Sequence, residues 1–331
     1  MLKACDCTEL HLEELAWAAG FFDGEGTTIA KRDTRRPDDV QLQVTVPQSG
    51  RDGVPEVLIR FQRAVLGLGV IDNPYGDSMY RWRARGFVDG QAALALLWPF
   101  LCRVKRAQAA SALLAVTAQY RTGRLKGKHR GPRASVDRVP HSVHRDAYRR
   151  PTLPEIEHAW AAGFFDGEGW TGRVRASGRI KGPTWYRVRA SINQNGEDGA
   201  SPAVLARFQR AVDGAGRIEP HGQLDAFKWI VEDLPGVERV LCVLRPWLGV
   251  VKIAQAGSAI SRFNAQLRLK GDAQHCVRGH EYSGRRTRGG RLRRVCNACE
   301  RIRGRAQRAP RGIGPRPFRD VTRRNDLARL D

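Results

Sequence analysis

A chain of 331 residues is long enough for two domains with cores of their own. It carries 57 Lys and Arg against 34 Asp and Glu, a formal net charge of +23, so its surface attracts polyanions, nucleic acid foremost. No run of about eighteen apolar residues offers a membrane span, the N-terminal MLKACDCTELHLEE lacks the charged-then-apolar order of a secretory signal, and seven cysteines are too few for a disulfide framework at this length.

An intracellular, cytoplasmic protein with reduced or metal-bound thiols is therefore expected. Cys5 and Cys7 are read as idle thiols, and Thr8 is placed to cap a first helix. That helix enters the stretch AWAAGFFDGEG, Ala16 to Gly26, and the same eleven residues recur at Ala159 to Gly169. Each copy runs from small residues through two phenylalanines to an acidic, glycine-punctuated end. Gly24 and Gly26 supply the backbone freedom that ends a helix, which leaves Asp23 and Glu25 at its C-terminus. Unpaired carbonyls and partial negative charge make carboxylates costly there unless a cation binds. Oxygen-only ligands suit Mg²⁺, which takes one or two protein carboxylates and fills its other positions with water and phosphate. The Ala and Gly face predicts two motif helices packed backbone to backbone, with Glu25 and Glu168 on opposite sides of one axis.

At these residues the chain resembles the LAGLIDADG homing endonucleases in their single-chain, two-repeat form. The resemblance implies an α+β fold of tandem αββαββα repeats about a pseudo-twofold axis, forming a saddle of two antiparallel sheets. It also implies that the last acid of each motif, Glu25 and Glu168, binds the divalent metal. The family more often has Asp there, and Glu lengthens the arm. Asp23 and Asp166 are expected to support the motif turn more than to hold metal.

Beyond Gly26 the pattern turns to period two. Val40, Leu42, Val44 and Val46 alternate with Gln41, Gln43 and Thr45, the signature of a half-buried strand whose polar face suits base edges in a major groove. Pro55 to Leu66 reads as an amphipathic helix closed by Gly67. Tyr80, Trp82 and Ala84 then alternate with Arg81, Arg83 and Arg85, an arginine face suited to phosphate or guanine. Helices follow over Gln91 to Trp98 and Val104 to Tyr120, interrupted by Pro99.

The second half repeats this order. INQNGEDG at Ile192 mirrors VPQSGRDG at Val46, RFQRAV recurs at Arg60 and Arg207, and LRPWLGVVKIAQA at Leu244 mirrors LWPFLCRVKRAQA at Leu97. Its strands carry Arg173 and Arg175, then Arg187 and Arg189, as the second reading face. Gln48 and Gln194 occupy matching places, as do Lys105 and Lys252. In the homing endonucleases, positions resembling these line the active centre, where the glutamine holds ordered water and the lysine stabilises phosphate charge. Two similar but non-identical faces predict a long, near-palindromic target.

Between the halves, Arg121 to Arg150 carries ten Lys or Arg and two Asp with few large apolar residues, the composition of an extended basic linker. Thr152-Leu-Pro-Glu155 restarts the fold with a capping-box spacing. Near the C-terminus, Cys276-x3-His280, fifteen residues, then Cys296-x2-Cys299 supply four ligands for a structural zinc, with His275 competing against His280 for one position. The segment looks like small zinc-binding elements appended to phage and bacterial nucleases. The expected layout is two repeats at 8–120 and 152–270, a linker at 121–151, a zinc module at 275–303 and a disordered basic tail at 304–331.

These features together point to a monomeric, site-specific endonuclease acting on double-stranded DNA with Mg²⁺ at the chemistry and Zn²⁺ in the C-terminal module. A cleavage-inactive DNA-binding regulator on the same scaffold and an RNA-splicing maturase are the alternatives.

Overall fold

The computed structural model describes residues 11–33, 36–51, 53–74, 76, 78–121, 152–175, 186–197, 199–222, 225–272, 276, 280–288 and 291–308. Cys5, Cys7, Thr8, His275, the linker from 122 to 151 and the tail from 309 onward lie outside the described residues.

Each half begins with its motif helix. α1 (Leu12–Glu25) starts after His11, and α5 (Leu153–Glu168) starts in a full capping box. Thr152 Oγ1 accepts from Glu155 N and the Glu155 carboxylate accepts from Thr152 N at 2.7 Å, with Pro154 in the first turn. The first half continues through β1 (Thr27–Asp33), β2 (Arg36–Ser49), α2 (Glu56–Ala64), β3 (Val70–Asp72), β4 (Met79–Arg83), α3 (Phe87–Leu97) and α4 (Arg103–Arg121). The second continues through β5 (Gly169–Arg175), β6 (Tyr186–Asn195), α6 (Ala203–Ala211), β7 (Arg217–Pro220), β8 (Ala226–Val231), α7 (Leu234–Leu244) and α8 (Val250–Asp272). The two sheets are antiparallel with orders β1-β2-β4-β3 and β5-β6-β8-β7. α3 begins four residues before the expected Gln91, because Gly86 at φ 93° turns the chain out of β4 and frees Phe87 to start a helix.

By internal packing both repeats, as far as Asn264 in α8, fall within one unit, and the described residues from Ala265 onward, the end of α8 included, belong to a second. The second contains β9 (Gly284–Arg288), β10 (Arg291–Val295) and α9 (Asn297–Arg308), a two-stranded hairpin followed by a helix. Among the described residues no helix is long and apolar enough to cross a membrane.

The core of the repeat unit is aromatic and duplicated. Trp17 stacks on Phe21, and Phe61 meets Trp82 edge to face with ring centroids 4.9 Å apart. The second half repeats this with Trp160 on Phe164 and with Phe208 against Trp229 at 4.8 Å. All eight rings are fully buried. Trp82 and Trp229 keep their indole N–H satisfied by donating to Leu68 O and Ala215 O.

α1 and α5 meet through their glycines. A Cβ on Gly20 would lie 1.9 Å from Trp160 O, and one on Gly163 would lie 1.8 Å from Trp17 O. The expected backbone freedom of glycine is not what ends these helices: Gly26 and Gly169 sit in extended conformation at φ −73° and −72°. Their lack of a side chain is needed for space, since a Cβ at either would strike the ring of Phe22 or Phe165 at 2.4 Å. Gly20→Ala therefore forces backbone against backbone, and overpacking of this kind costs about 3 kcal/mol. The unfolding free energy from urea titration should fall by that amount, read as a lower midpoint at an unchanged slope; an unshifted midpoint would refute the close approach.

Candidate active centre and zinc site

Helix crossing at Gly20 and Gly163 carries the two motif C-termini to one place. Glu25 is the last residue of α1 and Glu168 the last of α5. Gly24 would meet Glu168 Cγ at 2.9 Å from an added Cβ, and Gly167 would meet Glu25 Cγ at 3.0 Å. Each glutamate thus packs across the other motif's glycine, and both are half-buried. Burial and the facing Glu25 charge push Glu168 up to about 7, and burial raises Glu25 as well.

The mirrored polar residues converge on this pair. Lys105 Nζ donates to Gly26 O at 2.5 Å, and Lys252 Nζ donates to Gly169 O. Burial lowers the pKa of both ammoniums while the carboxylates around them oppose it. Gln48 Nε2 donates to Glu25 Oε1 at 3.4 Å, and the Gln194 side chain hydrogen-bonds Glu168. All six expected residues, Glu25, Glu168, Gln48, Gln194, Lys105 and Lys252, are therefore brought to one centre.

Asp23 and Asp166 have different surroundings. Asp23 accepts from Cys102 N at 2.9 and 3.1 Å and from Trp160 Nε1 at 2.8 Å. Asp166 accepts from Gly249 N at 2.8 and 3.0 Å and from Trp17 Nε1 at 2.8 Å. Both are buried, which pushes Asp166 up to about 6 and raises Asp23 too. Their oxygens are committed to the backbone that starts α4 and α8, whereas the glutamates have one amide each. Two facing carboxylates short of donors, at helix ends of negative potential, fit an oxygen-ligated divalent cation, which relieves both the burial and the repulsion.

The sheet faces turned away from the core carry most of the expected reading residues. Gln41 is exposed and Gln43 half-buried, while Thr45 between them and β4 is buried. Arg81 and Arg83 share that face, and both reach Asp72 of β3, Arg81 at 3.3 Å. Arg85 is exposed but lies beyond the end of β4. In the second sheet Arg187 is exposed, and Arg189 is paired with Glu232, which Arg217 also contacts at 3.1 Å.

Arg173 and Arg175 require a correction. Register pairs them with Val188 and Tyr186, on the side of the core residues Val188, Ala190 and Ile192, while Val174 is opposite Arg187. Arg173 accordingly stacks over the Tyr186 ring at 4.9 Å. The two arginines do not share a face with Arg187 and Arg189. Residues that the alternation did not single out take the outer face instead: Ile29 and Lys31, paired with Gln43 and Gln41, and Trp170, paired with Ser191 and 40% exposed. The arginines of the repeated RFQRAV, Arg60 and Arg207, were also passed over, although their recurrence was the available signal.

In the second unit Cys276, His280, Cys296 and Cys299 bring one ligand atom each to within 4.8 Å of one another. Cys276 Sγ is 3.7 Å from Cys299 Sγ and 3.7 Å from His280 Nδ1, and Cys299 Sγ is 3.4 Å from His280 Nδ1. Tetrahedral zinc with Zn–S bonds of about 2.3 Å holds its ligand atoms at about this spacing. The group can bind zinc, with His280 as its histidine among the described residues. Cys296 lies at the end of β10, and Cys299 in the first turn of α9 donates its N–H to Cys296 Sγ at 3.4 Å.

No protein-family profile matches the chain, and no curated protein sequence does. Solved structures do match. The LAGLIDADG meganuclease I-AabMI bound to uncleaved DNA aligns over 77% of this chain and 91% of its own, with 17% identity and a TM-score of 0.55. I-CpaMI, likewise bound to uncleaved DNA, aligns over 80% and 94% at 14% identity and 0.54. The homing endonuclease I-GzeII in complex with its DNA target aligns over 80% and 94% at 16% and 0.52. The chain has the two-domain LAGLIDADG homing endonuclease fold.

Two measurements test the sites. Glu168 has a folded pKa near 7 against an ordinary 4.5, so its contribution to stability is full below about 4.5 and is lost as pH rises through 7. Metal-free protein should lose on the order of 2 kcal/mol between pH 5 and 8 relative to Glu168→Gln, and Mg²⁺ should restore it at pH 8; parallel melting curves would contradict the buried charge. For the second unit, metal analysis should find one zinc per chain, absent in Cys296→Ser, and chelation should lower the unit's protection from proteolysis.

Proposed function

We propose that this chain is a divalent-metal-dependent endonuclease that cuts both strands of double-stranded DNA at a long, near-palindromic site. The observation that carries the reading is the facing pair Glu25 and Glu168, each hydrogen-bonded by the glutamine of its own repeat and each under the charge of both Lys105 and Lys252. Glu25 and Glu168 would hold Mg²⁺, which when bound supplies Lewis-acid stabilisation of phosphate charge and lowers the pKa of water. Lys105 and Lys252 are placed to add positive charge beside a scissile phosphate, and Gln48 and Gln194 to orient water by hydrogen bonds. Asp23 and Asp166 keep the helix ends in place and take no part in binding metal.

Recognition follows from the same scaffold. Gln41, Gln43, Arg81, Arg83, Arg187 and Arg189 on the outer sheet faces would read base edges and phosphates, with arginines exchanging their carboxylate partners for DNA. Arg85 beyond β4 would contact the backbone, while Arg173 and Arg175 would contact DNA only beyond the sheet edge. One chain carries both repeats, at 8–120 and 152–270, so a monomer supplies both strand-cutting centres. The linker at 121–151 and the C-terminal tail add positive charge, and the zinc module adds a basic unit whose helix α9 runs to Arg308, past the expected boundary at 303.

Incubation of a randomised duplex library with Mg²⁺ should yield defined double-strand cuts at one long site. The double change Glu25→Gln and Glu168→Gln should lower the cutting rate at least about a thousandfold, or about 4 kcal/mol of barrier, while binding persists. Specific binding without cutting by the unaltered protein would sink the enzyme reading in favour of a DNA-binding regulator. Preference for structured intron RNA over the duplex would favour a maturase.

A further inference from the structure

We propose that Arg207 and Arg60 are cross-repeat positioning residues, each holding the turn that presents the other repeat's active-centre lysine. The inference rests on the endonuclease reading for its functional meaning, but its structural content is independent of it.

Arg207 lies on α6 of the second repeat. Its Nε and Nη2 donate to Glu157 on α5 at 2.9 and 2.8 Å, and its guanidinium lies over the Trp160 ring at 3.9 Å. Its remaining arm leaves the repeat: Nη1 donates to Phe100 O at 2.6 Å and stands 3.9 Å from Asp23 Oδ2, both in the first repeat. Phe100 belongs to the turn between α3 and α4. Two residues on, Cys102 N donates to Asp23, whose other donor is Trp160 Nε1 of the second repeat. Lys105 follows within the first turn of α4. The turn delivering Lys105 is therefore held at Phe100 O and, through Asp23, at Cys102 N by groups from the opposite repeat.

The same construction occurs in mirror image. Arg60 on α2 binds Glu14 at 2.9 and 2.7 Å, lies over Trp17 at 3.9 Å, donates to Trp247 O at 2.6 Å and stands 4.0 Å from Asp166. Gly249 N donates to Asp166, and Lys252 follows in α8. Two copies arising at different sequence positions agree within 0.1 Å in every corresponding contact of the arginine. A planar fork holds the carboxylate through two nitrogens while its third reaches the carbonyl; the three donors of a lysine share one nitrogen and cannot span acceptors set this far apart. Each lysine's placement thus depends on the partner repeat being docked, which ties the two strand cuts together.

Arg207→Lys and Arg60→Lys in the full chain keep the charge beside the buried aspartates while removing the bridge. Supercoiled plasmid bearing the target would be followed from nicked circle to linear. Nicked circles should accumulate at least tenfold over the unaltered protein. Arg207→Lys should spare the strand that Lys105→Met also spares, and Arg60→Lys the strand that Lys252→Met spares. Equal slowing on both strands, or none, overturns the inference. If the unaltered protein leaves all DNA intact, the endonuclease reading fails and amide hydrogen exchange decides the positioning alone. Faster exchange at 98–106 in Arg207→Lys, and at 245–253 in Arg60→Lys, supports it; the same change in both segments for either variant overturns it.

Discussion

The contact between Gly20 and the Trp160 carbonyl, with its mirror between Gly163 and the Trp17 carbonyl, is the constraint from which the rest follows. Helices with larger side chains at these positions would stand about 8 to 10 Å apart. Bare backbone lets the axes come closer, and three consequences arise together. The indoles of Trp17 and Trp160 reach across to Asp166 and Asp23. Glu25 and Glu168 are drawn over Gly167 and Gly24. The turns preceding α4 and α8 come within reach of Arg207 and Arg60. Docking of the two repeats and assembly of the glutamate pair are one event in this unit.

Close approach also sorts the four acids. All four are wholly or partly buried, and burial alone would push every one toward neutrality. Asp23 and Asp166 are surrounded by N–H donors from backbone and indole, the standard compensation for a buried carboxylate. Glu25 and Glu168, one turn position further out, have a single amide each and face one another. Environment thus separates the two acids of each motif: the aspartate is compensated by N–H donors, and the glutamate keeps negative charge that its surroundings do not meet. The lysines do not neutralise the glutamates outright, since each ammonium is directed at a backbone carbonyl, of Gly26 or Gly169. That arrangement leaves the glutamate oxygens available.

Much of this was legible in the sequence, because duplication doubles every signal. The restart at Thr152 followed from Thr and Glu three apart, and the strands from alternating Val and Leu. The packing face followed from the small residues of the motif. What the alternation of β5 could not give was which set faces the core. Arg173 and Arg175 alternate with Val174 as cleanly as Arg187 and Arg189 do with Val188, and only the pairing of Arg173 with Val188 decides the side. The role of Gly26 was misread because a sequence shows that a side chain is missing, not whether conformation or space demands it. Arg60 and Arg207 stayed invisible for another reason: their decisive partners are Trp247 and Phe100, more than a hundred residues away and engaged through backbone carbonyls that have no side-chain signature.

Comparison of the two halves shows what each position is needed for. Where a side chain makes the contact, the halves agree: Glu14 and Glu157, Trp17 and Trp160, Asp23 and Asp166, Gln48 and Gln194, Arg60 and Arg207, Lys105 and Lys252. Where only backbone is used, they differ. The acceptor of the arginine is Phe100 in one and Trp247 in the other, the donor to the aspartate is Cys102 or Gly249, and the indole acceptor is Leu68 or Ala215. Burial and the Asp23 charge push the Cys102 thiol up to about 12, so its sulfur offers no chemistry that Gly249 would lack. On the outer sheet faces the side chains differ as well, Gln41 and Gln43 standing where the second half has Arg187 and Arg189. Symmetry is therefore strict at the axis, where the contacts between the repeats are made by side chains, and relaxed at the outer faces, where no contact between the repeats constrains them.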